Sequence, residues 1–393
     1  MPDLILTEEE QMLQTTVRDF VDREIAPKAK GADEKAEFQW ENWRGLADLG
    51  LTGLGIDTKY GGSGPAGYRQ VAIAAEEVAR GDASTSVSWL AHLALGTACV
   101  NRFGNDEQKE RLLTPLASGE AVAAFALTEP SGGSDAAALQ TTAAEKDGTY
   151  FLNGSKMFIT NASVASTLVV FATEDRSKGY KGISAFLVER GTSGLDTGKP
   201  YKMMGQAGSL VSEVYFNDCR VPAENLMGGK EGVGFRTAMK ALNRQRIHLA
   251  ALSTGPAMRM LDEAVEYAMT RKQFGQPIGE FQLVQAMIAD SQTDISAARA
   301  LILETARDRD LGKDIVLNAS ICKYFATEMC GRVADRAVQI FGGSGYVADY
   351  SNIERFYRDV RLFRLYEGTS QIHQLNIAKH TKRRFSETGT IRP

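Results

Sequence analysis

The chain has 393 residues, 43% of them hydrophobic and 24% charged, with a net charge of −4. That length buries a large core and points to two or three domains, while the negative balance argues against a nucleic-acid binder that must neutralise phosphates. Four cysteines without CxxC spacing and four histidines without HExxH or paired spacing argue against a disulfide framework and a metal site. Met1-Pro2-Asp3 leads into an amphipathic segment with neither an Arg-rich leader nor an apolar h-region, and no apolar run spans a bilayer, so a cytoplasmic, non-membrane protein is expected.

Thr7-Glu8-Glu9-Glu10 fits a capping box, and Leu13, Val17, Phe20, Val21 and Ile25 then repeat at helical spacing up to Pro27. Helices are predicted over 43–49, 68–80, 84–102 and 106–117, so residues 1–118 read as an N-terminal helical domain. Strands follow: 121–127, then 139–144 and 150–152 around the hairpin signal Asp147-Gly148, then 166–173, 183–189 and 211–216. Residues 119–228 thus form a middle β domain of barrel or sandwich type.

Helical periodicity returns in long units over 229–393: one from Phe235 to Arg271 with an expected kink at Gly255-Pro256, one carrying Val284, Ile288, Ile295, Ala298 and Ile302, and one with the stripe Ala319, Cys322, Ala326, Cys330, Val333, Ala337 and Ile340. Long helices with one apolar face and short connections predict an up-and-down four-helix bundle. The α–β–α order, with no GxGxxG after a strand, argues against a dinucleotide fold of alternating βαβ units.

Five segments carry chemistry, each with two readings. Arg364 to Gln371 sets Glu367 between Tyr366 and Gly368, ahead of a Thr369-Ser370 cap: either a surface glutamate before an ordinary helix, or a proton-accepting carboxylate at an anion-binding helix end. Thr128 to Asp135, with Gly132-Gly133 between hydroxyl-bearing residues, is a tight turn or an anion-binding nest. Phe158-Ile159-Thr160 is a buried strand end or the flank of a flat ring system. Arg271 to Ile278, with Gln282 one turn on, is a dipole complement or a diphosphate contact. Gln339 to Tyr346 ends a helix, its glycines either a simple C-cap or, being more than a cap requires, backbone packed against a ligand.

Taken in order, these segments resemble the acyl-CoA dehydrogenase family over essentially the whole chain. The matching signatures are Leu127-Thr128-Glu129-Pro130 with Gly133-Ser134-Asp135, Arg271-Lys272-Gln273-Phe274-Gly275, Gln339-Ile340-Phe341-Gly342-Gly343, and Tyr366-Glu367-Gly368-Thr369-Ser370. The resemblance implies an FAD enzyme that converts an acyl-CoA thioester to the trans-2-enoyl-CoA. Glu367 would take the α-proton and donate its backbone N–H to the thioester oxygen, while the β-hydrogen leaves as hydride to the flavin. Electrons would pass to electron-transfer flavoprotein. Carried over by position, the FAD contacts are Phe125, Leu127, Thr128, Gly133, Ser134, Phe158, Ile159, Thr160, Thr369 and Gln371. Arg271, Phe274, Gln282, Gln339, Ile340, Gly342 and Gly343 correspond to contacts from a neighbouring subunit, which implies a homo-oligomer, a dimer of dimers. Ser134, Asn243, Arg246 and Gly368 match substrate positions.

Gln245 stands where some members carry their base on the first bundle helix, and an amide cannot take the proton, so the role falls to Glu367 as in the short- and medium-chain type. Arg244 and Gln245 beside the expected pocket favour a short or functionalised acyl group. An enoyl-CoA reductase, an oxygen-using oxidase and a non-catalytic acyl-CoA binder stay open as alternatives.

Overall fold

A computed structural model describes residues 6–391; the Met1-Pro2-Asp3 reading lies outside the described residues. Helices α1 (Glu8–Phe20), α2 (Ala29–Lys35), α3 (Trp40–Asp48), α4 (Tyr68–Gly81), α5 (Ala83–Leu90), α6 (Ala98–Phe103) and α7 (Asp106–Ala117) make the N-terminal part. The capping box forms as predicted: the Glu10 N–H donates to Thr7 Oγ1 and the Thr7 N–H to Glu10 Oε2, at 3.2 and 3.0 Å. The helix expected over 84–102 is instead split by a π-helical stretch, Ala91–Thr97, between α5 and α6. This stretch packs on the first strand, where Gly96 leaves room that a Cβ would close to 2.5 Å from Ala123 Cβ, and the Ala123 N–H donates to His92 Nδ1 at 3.0 Å. That tertiary contact accounts for the widened turn, a device with no signature in helical periodicity.

Strands β1 (Ala123–Ala126), β2 (Thr142–Lys146), β3 (Thr149–Thr160), β4 (Thr167–Thr173), β5 (Ile183–Glu189), β6 (Leu195–Thr197) and β7 (Val211–Pro222) form one curved sheet in the order β1-β4-β2-β3-β7-β6, with β5 also on β4. β1 and β2 pair with β4 in parallel and the other pairs are antiparallel. Every residue of β4 is buried because both faces are covered: Leu168, Val170 and Ala172 enter the half-barrel interior, and Val169 and Phe171 pack toward the helices. Asp147 and Gly148 adopt φ of 50° and 76°, the left-handed pair that a two-residue hairpin of this sequence demands. The three-residue β6 carries too short a pattern to be seen in advance.

The C-terminal part holds α8 (Gly234–Thr270), the hairpin β8 (Lys272–Gln273) and β9 (Gln276–Pro277), α9 (Gln282–Asp310), α10 (Val316–Phe341), α11 (Gly343–Tyr346), α12 (Ile353–Val360) and α13 (Ser370–Thr388). Helix α10 lies centrally against α8, α9 and α13, and its predicted stripe from Ala319 to Ile340 is buried throughout. α8 runs as one helix through Gly255-Pro256. Gly255 serves a crossing: a Cβ there would lie 2.8 Å from Arg80 N and nearer still to the Glu76 carbonyl of α4. The buried Glu76 carboxylate ties the crossing together, accepting from Arg299 Nε at 2.8 Å and from Thr254 Oγ1 at 2.7 Å. Among the described residues no helix is long and apolar enough to cross a membrane.

Candidate active site

The loop between α12 and α13 presents Glu367. Thr369 caps α13, its Oγ1 accepting from the Ile372 N–H at 3.3 Å, so the helix begins where the Thr-Ser pair predicts. Just before the cap the backbone turns left-handed at two successive residues, Glu367 at φ 55° and Gly368 at φ 95°. A glycine tolerates this, whereas a glutamate holds it at a cost of order 1–3 kcal/mol that the surroundings must offset. Two contacts do so: Lys323 Nζ of α10 donates to the Gly368 carbonyl at 2.7 Å, and His373 Nε2 lies 3.2 Å from the Glu367 carbonyl. The second contact assigns the ring proton to Nε2. A Cβ on Gly368 would meet His373 Nε2 at 3.0 Å, so the glycine is demanded by space as well as by φ.

The Glu367 carboxylate is held differently from an ordinary surface acid. Among the described residues its Oε2 is buried without a hydrogen-bond partner. Burial raises its pKa to about 7, against the opposing pull of Lys323, Arg246 and the Gln245 amide. Lys323 is wholly buried, and desolvation pushes its ammonium down to about 8. Arg246 on α8 is buried too, donating through Nη1 to Asn243 Oδ1 at 2.6 Å. The structure therefore brings Glu367, Gly368, Asn243 and Arg246 together, and adds Lys323 and His373. Sequence reasoning missed both, because a lysine on an apolar helical stripe carries no motif.

The β-sheet side reaches this centre through residues 201–206. The Tyr201 ring lies 5.5 Å from that of Phe158, and Gln206 Nε2 donates to the Asp359 carbonyl of α12 at 2.8 Å. Phe158 sits at a bulge in the β3–β7 pairing with φ 58° and is 59% exposed. Its neighbour Ile159 points into the half-barrel core, so only its backbone is free to face a ligand, and Thr160 is half-buried. Phe125 lies half-buried with its ring 4.9 Å from Phe171, and Leu127 is buried. The Thr128 carbonyl accepts from the Met157 N–H at 2.8 Å, and Gly133 and Ser134 sit exposed on the loop. A buried ion pair holds that loop, Lys156 Nζ to Glu129 Oε1 at 2.7 Å, with the Thr141 N–H and Oγ1 also donating to Glu129. An exposed aromatic at a strained bulge fits a flat ring ligand. Gln371, in the first turn of α13, is exposed.

The remaining predicted residues meet elsewhere. Arg271, Ile340, Gly342 and Gly343 line one open cavity of about 530 Å³ with Tyr267 and Tyr350. A Cβ on Gly342 or Gly343 would find nothing within 4 Å, and Arg271 forms no ion pair among the described residues. Phe274 projects from the β8–β9 turn at φ 50° and is 95% exposed; Gln282 and Gln339 are exposed nearby on α9 and α10. Eighteen residues of α10 separate Lys323 from Phe341, about 27 Å at 1.5 Å per residue. One chain therefore keeps its two groups of predicted cofactor residues apart.

Comparison with known proteins bears on this arrangement. Models for the N-terminal, middle and C-terminal domains of acyl-CoA dehydrogenases match residues 7–120, 124–219 and 232–382. The chain is 43% identical over 375 residues to a probable acyl-CoA dehydrogenase of Bacillus subtilis, covering 95% of this chain and 98% of that one. It is also 43% identical over 384 residues to the acryloyl-CoA reductase (NADH) of Anaerotignum propionicum, covering 97% and 96%. The structure of butyryl-CoA dehydrogenase from Megasphaera elsdenii superposes with a TM-score of 0.93 at 40% identity, covering 96% of this chain and 99% of that one. The chain belongs to the acyl-CoA dehydrogenase family, FAD-dependent oxidoreductases acting on the CH–CH group of their donors.

Proposed function

We propose that the protein removes two hydrogens from the α and β carbons of an acyl-CoA thioester, giving the trans-2-enoyl-CoA, and that Glu367 is the base. The observation that carries this reading is the buried Glu367 carboxylate, unpartnered at Oε2 among the described residues, poised near neutrality and flanked by Arg246 and Lys323. An α-proton of a thioester is very weakly acidic. A desolvated base near the working pH contributes about 10²–10⁴-fold, and charge stabilisation of the enolate contributes further. Glu367 takes the proton at Oε2, its backbone N–H meets the thioester oxygen, and the two cations favour the negative charge that develops. Gly368 leaves room for the thioester, while Asn243, Arg246 and Ser134 hold the CoA side.

Bound FAD supplies the two-electron oxidation that loss of the second hydrogen requires. On this chain Phe125, Leu127, Thr128, Gly133, Ser134 and Phe158 to Thr160 would hold its ring and ribityl side, with Thr369 and Gln371 at the α13 end. Arg271, Phe274, Gln282, Gln339, Ile340, Gly342 and Gly343 would serve the nucleotide of a neighbouring subunit. Their separation from Glu367 supports that division, as do the exposed Met269, Phe274, Leu283, Tyr346 and Tyr350 at the same end of the bundle. The assembly is a homo-oligomer, a tetramer in this reading, and the electron acceptor is electron-transfer flavoprotein.

Glu367→Gln should keep FAD and bind acyl-CoA yet lose nearly all anaerobic flavin reduction; survival of more than a few per cent would move the base elsewhere. The reverse direction stands as a second reading because of the 43% identity to an acryloyl-CoA reductase. Reoxidation of the reduced enzyme by enoyl-CoA, set against reoxidation by electron-transfer flavoprotein and by oxygen, separates the two.

A further inference from the structure

We propose that Arg102, Arg244 and His248 frame a subsite for a carboxylate, on the face of α8 next to the one that meets Glu367. They line a small, partly open recess between the turn at Leu54 to Ile56, α4, the π stretch with α6, and α8. Arg244 and His248 are four residues apart on α8 and so share one face. Tyr68 holds both: its ring centroid lies 4.4 Å from the Arg244 guanidinium carbon and 5.4 Å from the imidazole centroid.

Three features point to an anionic ligand. Among the described residues neither Arg102 nor Arg244 pairs with a carboxylate, and Arg244 Nε is buried without a hydrogen-bond partner. His248 is 1% exposed with neither ring nitrogen bonded. Burial and the nearby Arg102 charge push it down to about 3, so it stays neutral and keeps an N–H to donate. Buried polar groups of this kind ordinarily find partners, and two guanidinium forks match the planar, two-oxygen geometry of a carboxylate. Leu54, Ile56 and Leu93 complete the wall of the recess.

Gln245 and Arg246, which act on Glu367, lie between Arg244 and His248 in the same helical turn. The carboxylate belongs either to the far end of the acyl group, an inference that rests on Glu367 as base, or to a separate small organic acid. Two measurements on the FAD-loaded enzyme decide. The first is the ratio of rate constants for anaerobic flavin reduction by chain-matched pairs, glutaryl-CoA against valeryl-CoA and adipyl-CoA against hexanoyl-CoA, in wild type, R244Q and R102Q. The second is thermal stabilisation by acetate and succinate at fixed ionic strength in the same three proteins.

A ratio that falls roughly tenfold to a hundredfold in both variants, the range for a lost charged hydrogen bond, supports a substrate carboxylate. An unmoved ratio with carboxylate stabilisation lost in the variants supports a separate organic acid. If neither the ratio nor the stabilisation responds to either variant, the subsite is overturned. Arg102 is exposed, so R102Q retains the fold if R244Q does not. Failure of wild type to reduce flavin with any acyl-CoA would strike the Glu367 reading instead, leaving the thermal measurement to judge the subsite.

Discussion

At Glu367 the decisive quantity is the balance between burial and charge. Burial alone would keep the carboxyl protonated, and Lys323, the larger of the two cationic influences, draws it back toward about 7. A base must be ionised to act, so flavin reduction should rise with pH through about 7. The raised value has a converse for stability. The neutral carboxyl contributes fully below the ordinary carboxylate range and loses its contribution as pH rises through 7. Lys323→Met removes a pull toward ionisation, so the rate profile should shift to higher pH, with the largest loss on the acid side. The pH dependence of single-turnover bleaching checks this, and an unmoved profile would leave Lys323 only its hold on the Gly368 carbonyl.

At the scale of elements, glycines mark where backbones approach. Gly255 lies within a 37-residue helix, and its Cβ would collide with the main chain of α4, which cannot move aside as a side chain can. Gly255→Ala should therefore destabilise by about 1–3 kcal/mol despite the gain in helix propensity. A lowered apparent Tm of the holoenzyme is expected, and an unchanged one would mean that the crossing relaxes freely. In the sequence Gly255-Pro256 read as a kink, because a proline inside a helix removes a hydrogen bond whatever surrounds it. The packing partner, 175 or more residues earlier in the chain, is invisible to local patterning.

For the molecule as a whole, Lys323 beside Glu367 and the cavity at Arg271 stand about 27 Å apart along α10, which under the proposed division makes flavin retention a property of the assembly. Arg271→Ala should lower the flavin-to-protein ratio after gel filtration by tenfold or more in FAD affinity, the scale of a charged hydrogen bond to phosphate. An unchanged ratio would remove Arg271 from the nucleotide site. Because its side chain is exposed and forms no ion pair among the described residues, the substitution should leave the fold of the protomer intact.

The sequence by itself determined the elements whose cause is local. The Thr7 and Thr369 caps, the Asp147-Gly148 hairpin and the long apolar stripe of α10 follow from side chains reaching a few residues along the chain. It also placed Glu367 beside a glycine at a helix start. Only the tertiary structure decided how that carboxylate is held. Lys323 comes from α10 and Arg246 from α8, and the pKa of about 7 arises from burial that these helices create together. The π stretch at Ala91–Thr97 and the recess at His248 belong to the same class. Local propensity is written in neighbouring residues, whereas desolvation and charge pairing depend on distances through space that folding alone sets.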